Sequence, residues 1–189
     1  MKKAVVVFSI TCFSIINFSM GQLNSFISNF KVCVLPFTVN ASTFDIYASE
    51  EPYVISENDI ISYLLMDNDT FVNIKASSLK NPYPKYMAVG RFKIYDDLLG
   101  ILYFRNIISN DNEILELMLC ILNKKGKLIS TYPISGYCIT ENKKFYSTIF
   151  NENNIEILFY NLDTHDYINK NIIEKKHIFI TKEGMIQEK

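Results

Sequence analysis

Residues 113–122 read EILELMLCIL, a nearly continuous apolar run. Successive side chains of a β-strand point to opposite faces. One face would carry Leu115, Leu117, Leu119 and Ile121, and the other Ile114, Glu116, Met118, Cys120 and Leu122. Both faces are largely apolar, which is typical of a strand that is covered on both sides. The run therefore predicts a central strand of a sheet.

The next four residues, 123–126, read NKKG and precede a second strand-like run, Lys127–Ile134. A loop that ends in glycine is typical of a type I turn closed by a G1 bulge, because glycine accepts the left-handed backbone conformation. The sequence TKEG at 181–184 repeats this arrangement between Ile178–Ile180 and Met185–Ile186. We therefore predict two hairpins of the same design.

Two further hairpins are indicated by turn residues between strand-like runs. One joins Tyr86–Tyr95 to Leu98–Arg105 through Asp96-Asp97, and the other joins Lys144–Phe150 to Ile155–Tyr160 through residues 151–154. Aspartate and asparagine tolerate turn conformations and supply local hydrogen bonds there. With the runs above, this gives about eight strands, which we expect to pair in antiparallel meander order.

One helix is predicted, from Glu57 to Leu65. Ser56 can cap its start, and Asp59 stands where the partner residue of a capping box would be. The helix would pack on the sheet through one apolar face made of Ile60, Ile61, Leu64 and Leu65. The predicted fold is mainly β, an antiparallel meander forming a sandwich or an open barrel-like sheet with one short helix. A small β-propeller-like fold is the alternative, although no regular blade period is present.

The amino terminus has the pattern of a signal peptide. Lys2 and Lys3 precede the apolar run Ala4–Ile16, which is shorter than a membrane-spanning helix, and small residues stand at Ser19 and Gly21. We predict cleavage after Gly21, so that residues 1–21 are the signal peptide and residues 22–189 form a single domain. The protein would be exported to the periplasm or the extracellular space, with no transmembrane segment after cleavage. The alternative is a lipid anchor at Cys12.

The chain resembles small secreted, mainly-β proteins of unknown function from Bacteroidetes-type bacteria. The resemblance is carried by four stretches, which are Ser19–Gln22, Val34–Phe37, Tyr86–Gly90 and Leu122–Ser130. It implies an exported β-rich domain. It implies no known substrate, cofactor or catalytic residue.

Composition excludes several classes of function. With 19 basic and 20 acidic residues the formal net charge is −1, so we expect no nucleic-acid partner. Asp67-Asn68-Asp69 opens like a calcium loop but lacks the turn glycine and the distal glutamate. His165 and His177 have no nearby third ligand in the sequence, and no serine-nucleophile elbow occurs. We therefore predict no catalytic, metal or cofactor site.

Three cysteines follow the predicted cleavage point: Cys33, Cys120 and Cys138. Cys120 and Cys138 lie on neighbouring predicted strands, so a disulfide between them is one hypothesis. The other is that the cysteines are small, buried apolar residues of the core. Several tyrosines lie between Tyr83 and Phe104, and these either line a recognition surface or pack within strands.

Charge is segregated along the chain. Residues 40–70 contain seven acidic side chains and no lysine or arginine; the seven are Asp45, Glu50, Glu51, Glu57, Asp59, Asp67 and Asp69. Such a segment favours encounter with a protein that has a basic surface. We therefore expect an exported, non-enzymatic binding module that uses these residues, such as an immunity protein that binds a toxin in the periplasm. The alternative is an enzyme with dispersed catalytic residues.

Overall fold

The computed structural model describes residues 21–40, 53–65, 84–109, 112–138, 142–161 and 172–189, which form two short helices and ten strands. Residues 21–28 are helical and are called α1, and helix α2 has an α-helical turn at Glu57–Asp59 that continues as a π-helix over Ile60–Leu64. The strands are β1 (Lys31–Val32), β2 (Phe37–Val39), β3 (Pro84–Tyr95), β4 (Leu98–Ser109), β5 (Asn112–Asn123), β6 (Leu128–Cys138), β7 (Lys143–Asn151), β8 (Asn154–Asn161), β9 (Ile172–Ile180) and β10 (Ile186–Glu188).

All ten strands belong to one sheet. The eight predicted strands are β3 to β10, and each pairs antiparallel with the next, so the meander is confirmed. The propeller alternative is wrong, because a propeller has separate blades. Two short strands escaped prediction. β1 pairs parallel with β3, and β2 pairs antiparallel with β7.

The sheet folds back on itself where β6 leaves β7. These two strands share only three residue pairs, from Gly136↔Phe145 to Cys138↔Lys143. Beyond that point β2 pairs with β7, with Phe37 opposite Ile149. The first half (β3–β6) and the second half (β7–β10) thus enclose one core between their inner faces, which we call the first core. The arrangement is therefore sandwich-like.

Polar side chains join the two halves at the margin of the first core. The Ser130 hydroxyl donates to the Gly184 carbonyl at 2.6 Å, so β6 is tied to the β9–β10 turn. The side-chain amide of Asn153 donates to the Tyr95 hydroxyl at 2.7 Å, and that hydroxyl lies 3.4 Å from the Ile180 carbonyl. Hydrogen bonds of this kind satisfy polar groups that burial removes from water.

Strand β5 is the predicted central strand. Leu115, Leu117, Leu119 and Ile121 all belong to the first core. The opposite face of β5 packs into a second core, to which it contributes Met118, Cys120 and Leu122. The strand is therefore buried on both faces, as its unbroken apolar sequence predicts.

The second core lies between the first half of the sheet and the two helices. Helix α1 and the residues that follow it contribute Leu23, Phe26 and Phe30, and α2 contributes Ile60 and Leu64. Their partners on the sheet include buried residues of β3, β4 and β5. Sequence analysis did not predict α1. Apolar residues at 23, 26, 27 and 30 have the spacing of one helical face and were the available signal.

The predicted N-cap at Ser56 is confirmed, although the Asp59 carboxylate accepts from the Ser56 hydroxyl rather than from the Ser56 backbone N–H that a full capping box would use. The Ser56 hydroxyl accepts a hydrogen bond from the Asp59 backbone N–H at 3.2 Å and lies 2.8 Å from the Asp59 carboxylate. The predicted apolar face is only partly correct: Ile60 and Leu64 are buried, but Ile61 is 49% exposed. The π-helical turn has a wider repeat than an α-helix, so it keeps residues 60 and 64 on the sheet and turns residue 61 outward.

Both predicted glycine-ended turns adopt one geometry. Gly126 and Gly184 have φ values of 78° and 84°, in the left-handed region that favours glycine. Each glycine N–H donates at 2.9 Å to the carbonyl three residues earlier, on Asn123 and Thr181 respectively. The side chains of these two residues also accept backbone N–H groups within the turn. The two hairpins of one design are therefore confirmed.

The disulfide hypothesis is wrong, because Cys120 is a free, buried thiol. Cys120 pairs with Thr131, whereas Cys138 pairs with Ile114 at the far end of the same two strands. Six residues of strand separate these positions by about 20 Å, whereas disulfide-bonded Cα atoms lie within about 7 Å. Burial raises the pKa of the Cys120 thiol, in keeping with an apolar role.

Candidate functional site

Two of the seven acidic residues predicted to bind a partner lie within the described chain. Asp45, Glu50, Glu51, Asp67 and Asp69 lie outside the described residues. Glu57 is exposed at the start of α2, whereas Asp59 is half-buried and engaged in the cap with Ser56. Asp59 therefore has a structural role whether or not it also contacts a partner.

The next candidates are the tyrosines between Tyr83 and Phe104. Tyr83 lies outside the described residues, and the other three have contacts within the fold. Tyr86 and Tyr103 are buried and stacked, with ring centroids 5.8 Å apart. Tyr95 is half-buried and hydrogen-bonded between the two halves of the sheet. The recognition-surface hypothesis is therefore wrong for Tyr86 and Tyr103, whose role is packing, while Tyr95 joins the two halves of the sheet.

An ion pair lies beside the buried tyrosines. Arg105 Nη2 is 2.5 Å from Glu116 Oε2, and the two residues are cross-strand partners on β4 and β5. Burial acts to lower the pKa of Arg105, but the hydrogen bond and charge of Glu116, with smaller effects from Tyr103 and Tyr86, raise it overall. The pair is mostly buried, with Arg105 and Glu116 side chains 30% and 15% exposed, and it links two neighbouring strands, so its role is structural.

Strands β7, β8 and β9 present a sheet surface on the side of the molecule away from the two helices. On β7, β8 and β9 the inward residues, such as Phe145, Ile157 and Ile178, fill the first core. Alternate residues point away from that core. We call this surface the outer face and define it by Thr38, Lys144, Tyr146, Thr148, Glu156, Leu158, Tyr160, Lys175, His177, Phe179 and Lys189. No helix or strand of the described residues covers it.

Register places outer-face residues from different strands in rows. Thr148, Glu156 and His177 form one row across β7, β8 and β9. Tyr146, Leu158 and Lys175 form the next. The Tyr146 and Tyr160 rings lie side by side with centroids 6.0 Å apart. Half-buried aromatic and aliphatic side chains are therefore interleaved with charged ones, and Tyr146 also packs against the edge of the first core.

Glu156 is the electrostatic centre of the outer face. Its carboxylate forms an ion pair with Lys175 and lies 3.8 Å from Nε2 of His177. The Glu156 side chain is 17% exposed, whereas Lys175 and His177 are 49% and 43% exposed. Burial, and then the charge of Glu156, raise the pKa of Tyr160. The carboxylate thus lies beneath groups that reach further into solvent.

At the outer face His177 and Glu156 approach each other without forming a hydrogen bond. The Glu156–His177 distance exceeds the roughly 2.6–3.2 Å of a hydrogen bond between an acid–base pair. Among the residues that the structure describes, no group of three or more His, Cys, Asp and Glu side chains is placed to hold a metal ion. Within that same part of the chain, no helix has the length and apolarity needed to cross a membrane.

Sequence analysis did not identify the outer face. The alternation in β8 separates Ile155, Ile157 and Phe159 from Glu156, Leu158 and Tyr160. Both sets contain apolar residues, so the pattern alone does not say which face is outward. The rows across strands follow only from the register of three strands.

Comparison of the chain with protein-family models, curated proteins and solved structures finds no match. The resemblance to small secreted bacterial proteins therefore stays a prediction.

Proposed function

We propose that this chain is an exported, non-enzymatic binding module that recognises another protein. The observation that supports the proposal is the outer face, where half-buried tyrosine and leucine side chains lie beside charged groups on a sheet surface that no described helix or strand covers. Tyrosine is enriched in protein interfaces because its ring is apolar and its hydroxyl is polar. Small-molecule sites are instead usually concave. An immunity protein that masks a toxin is one module of this kind.

The enzyme alternative has one observation in its favour, the approach of His177 to Glu156. In a complex the 3.8 Å separation between their side chains could shorten into an acid–base hydrogen bond. A pair of this kind would make His177→Ala abolish turnover while leaving binding intact. A binding module has no turnover to lose, so this variant separates the two functions once a partner or substrate is known.

Capture experiments with the chain from Gln22 to Lys189 test the binding proposal. The bait is used against extracts of the native cell envelope and of co-resident bacteria. We expect one stoichiometric protein, and we expect the double variant Leu158→Ala, Tyr160→Ala to weaken its binding at least about tenfold, as for central interface residues. The matched control is Val54→Ala, Ile61→Ala, since both residues are exposed apolar side chains away from the outer face. The proposal would be contradicted if both double variants lost the same affinity for the captured protein, or if neither lost any.

The acidic segment is part of the same proposal and is tested on the same captured protein. Glu50→Lys, Glu51→Lys should slow association several-fold at low ionic strength and leave thermal stability nearly unchanged, because surface charges act mainly on encounter. This result requires a partner with a basic surface. An association rate that ignores both salt and the charge reversal would assign the segment to solvation alone.

Export is the remaining part of the proposal. Cleavage after Gly21 would leave Leu23, Phe26 and Phe30, which belong to the second core, in the mature chain. We expect the mass of the protein purified from its native cells to correspond to a chain that begins at Gln22. The prediction of cleavage after Gly21 would be overturned by a lipid attached to Cys12, or by an uncleaved chain that still begins at Met1 in cells that secrete normally.

A further inference from the structure

The outer face displays positive charge and covers its negative charge. Lys175 forms an ion pair with the Glu156 carboxylate and is about half-exposed, while the carboxylate itself is mostly covered. Lys144 lies on the same side of β7. Lys189 Nζ lies 4.3 Å from the centroid of the Phe179 ring, where a cation–π contact holds a further positive charge on this surface.

We infer that the partner of the outer face is a protein whose contacting surface is acidic; the inference rests on the proposed function. An acidic surface would complement the lysines and, among the described residues of the outer face, would meet no largely exposed side-chain carboxylate. Such complementarity speeds encounter with an acidic surface at this face and leaves the acidic segment free to favour a basic surface elsewhere on the same partner. The central row of Tyr146, Leu158 and Lys175 would bury apolar surface next to the charge contact.

A protein fits this surface better than a nucleic acid does. A polyanion is held mainly by many phosphate contacts, on the order of 6–10 in a typical complex. The outer face has three lysines, interleaved with tyrosine and leucine, and the chain as a whole has a net charge of −1. Few cations among apolar side chains are instead typical of a protein interface.

The inference gives the outer face and the acidic segment opposite preferences. The segment 40–70 favours a basic surface, whereas the outer face favours an acidic one. Experiments with charged peptides can therefore measure whether β7–β9 bind an acidic or a basic surface. This measurement does not depend on which natural partner is captured.

An NMR titration of the ¹⁵N-labelled chain with defined peptides tests the inference. The probe is an acetylated, amidated peptide of glutamate and leucine in alternation, and the matched probe has lysine in place of glutamate. We expect the acidic peptide to shift amide resonances of β7, β8 and β9 at low salt, and the basic peptide to leave them in place. Equal shifts with both peptides, or none with the acidic one, would overturn the inference.

Two variants show whether the outer-face charge causes the binding. Lys175→Gln removes a positive charge without adding a carboxylate beside Glu156, and should weaken the acidic peptide about three- to tenfold. Lys125→Gln is the control, because Lys125 is exposed in the β5–β6 turn, away from the outer face. Equal affinity in the two variants would overturn the inference, as would a duplex DNA oligonucleotide that binds β7–β9 more tightly than the peptide.

The captured protein separates failure of the inference from failure of the proposed function. If its binding depends on Leu158 and Tyr160 but is unchanged by Lys175→Gln, the binding module stands and the acidic partner is wrong. If its binding depends on neither, the outer face is not the recognition surface, and both fail.

Discussion

Leu117→Ala is expected to lower the free energy of unfolding by about 2–5 kcal/mol, the range for large-to-small changes in well-packed cores. Leu117 is 0% exposed, lies in the first core, and belongs to β5, which pairs with β4 and β6 on its two edges. Neighbours held by two ladders cannot easily collapse into the space that the side chain leaves. The measurement is the denaturant midpoint, with an unchanged slope showing that unfolding exposes the same surface.

The control for this prediction is Lys124→Ala in the turn after β5. Lys124 forms an ion pair with Asp97 at 2.9 Å, and both side chains are largely exposed. Exposed pairs contribute about 1 kcal/mol or less. Similar, small shifts of the midpoint in both variants would show that β5 is not the centre of the fold.

Phe26→Ala is expected to cost about 3–5 kcal/mol, as for other buried aromatic truncations. Phe26 is 1% exposed on α1 and stacks on Tyr63 of α2 with ring centroids 4.6 Å apart. It also meets Phe30 edge-on at 5.0 Å. Its removal would open a cavity between both helices and the sheet. Thermal or denaturant unfolding of the chain from Gln22 onward measures the loss.

Val34→Ala is the matched control near the same end of the chain, because Val34 is 82% exposed. It should leave the unfolding midpoint nearly unchanged. If Phe26→Ala proved equally neutral, α1 would contribute nothing to the second core, and residues 22–30 would be dispensable for stability.

The amino-acid sequence by itself determined the eight strands of the meander, both glycine-ended turns and the cap of α2. These features depend on interactions between residues close in sequence. Alternation over a few residues defines a strand, a glycine allows a left-handed turn, and Ser56 reaches Asp59 within one helical turn. Local signals of this kind are complete within a short window of sequence.

Only the tertiary structure decided how the meander folds and which surfaces it leaves open. β1 and β2 are too short to be recognised without their partners, since Lys31 pairs with Gly90 and Phe37 with Ile149. The departure of β6 from β7 brings two inner faces together as the first core. The physical reason is that distant pairings are selected by the burial of apolar surface summed over the whole molecule. That same burial turned one side of β7–β9 inward, so Glu156, His177 and Lys175 came to lie together on the outer face.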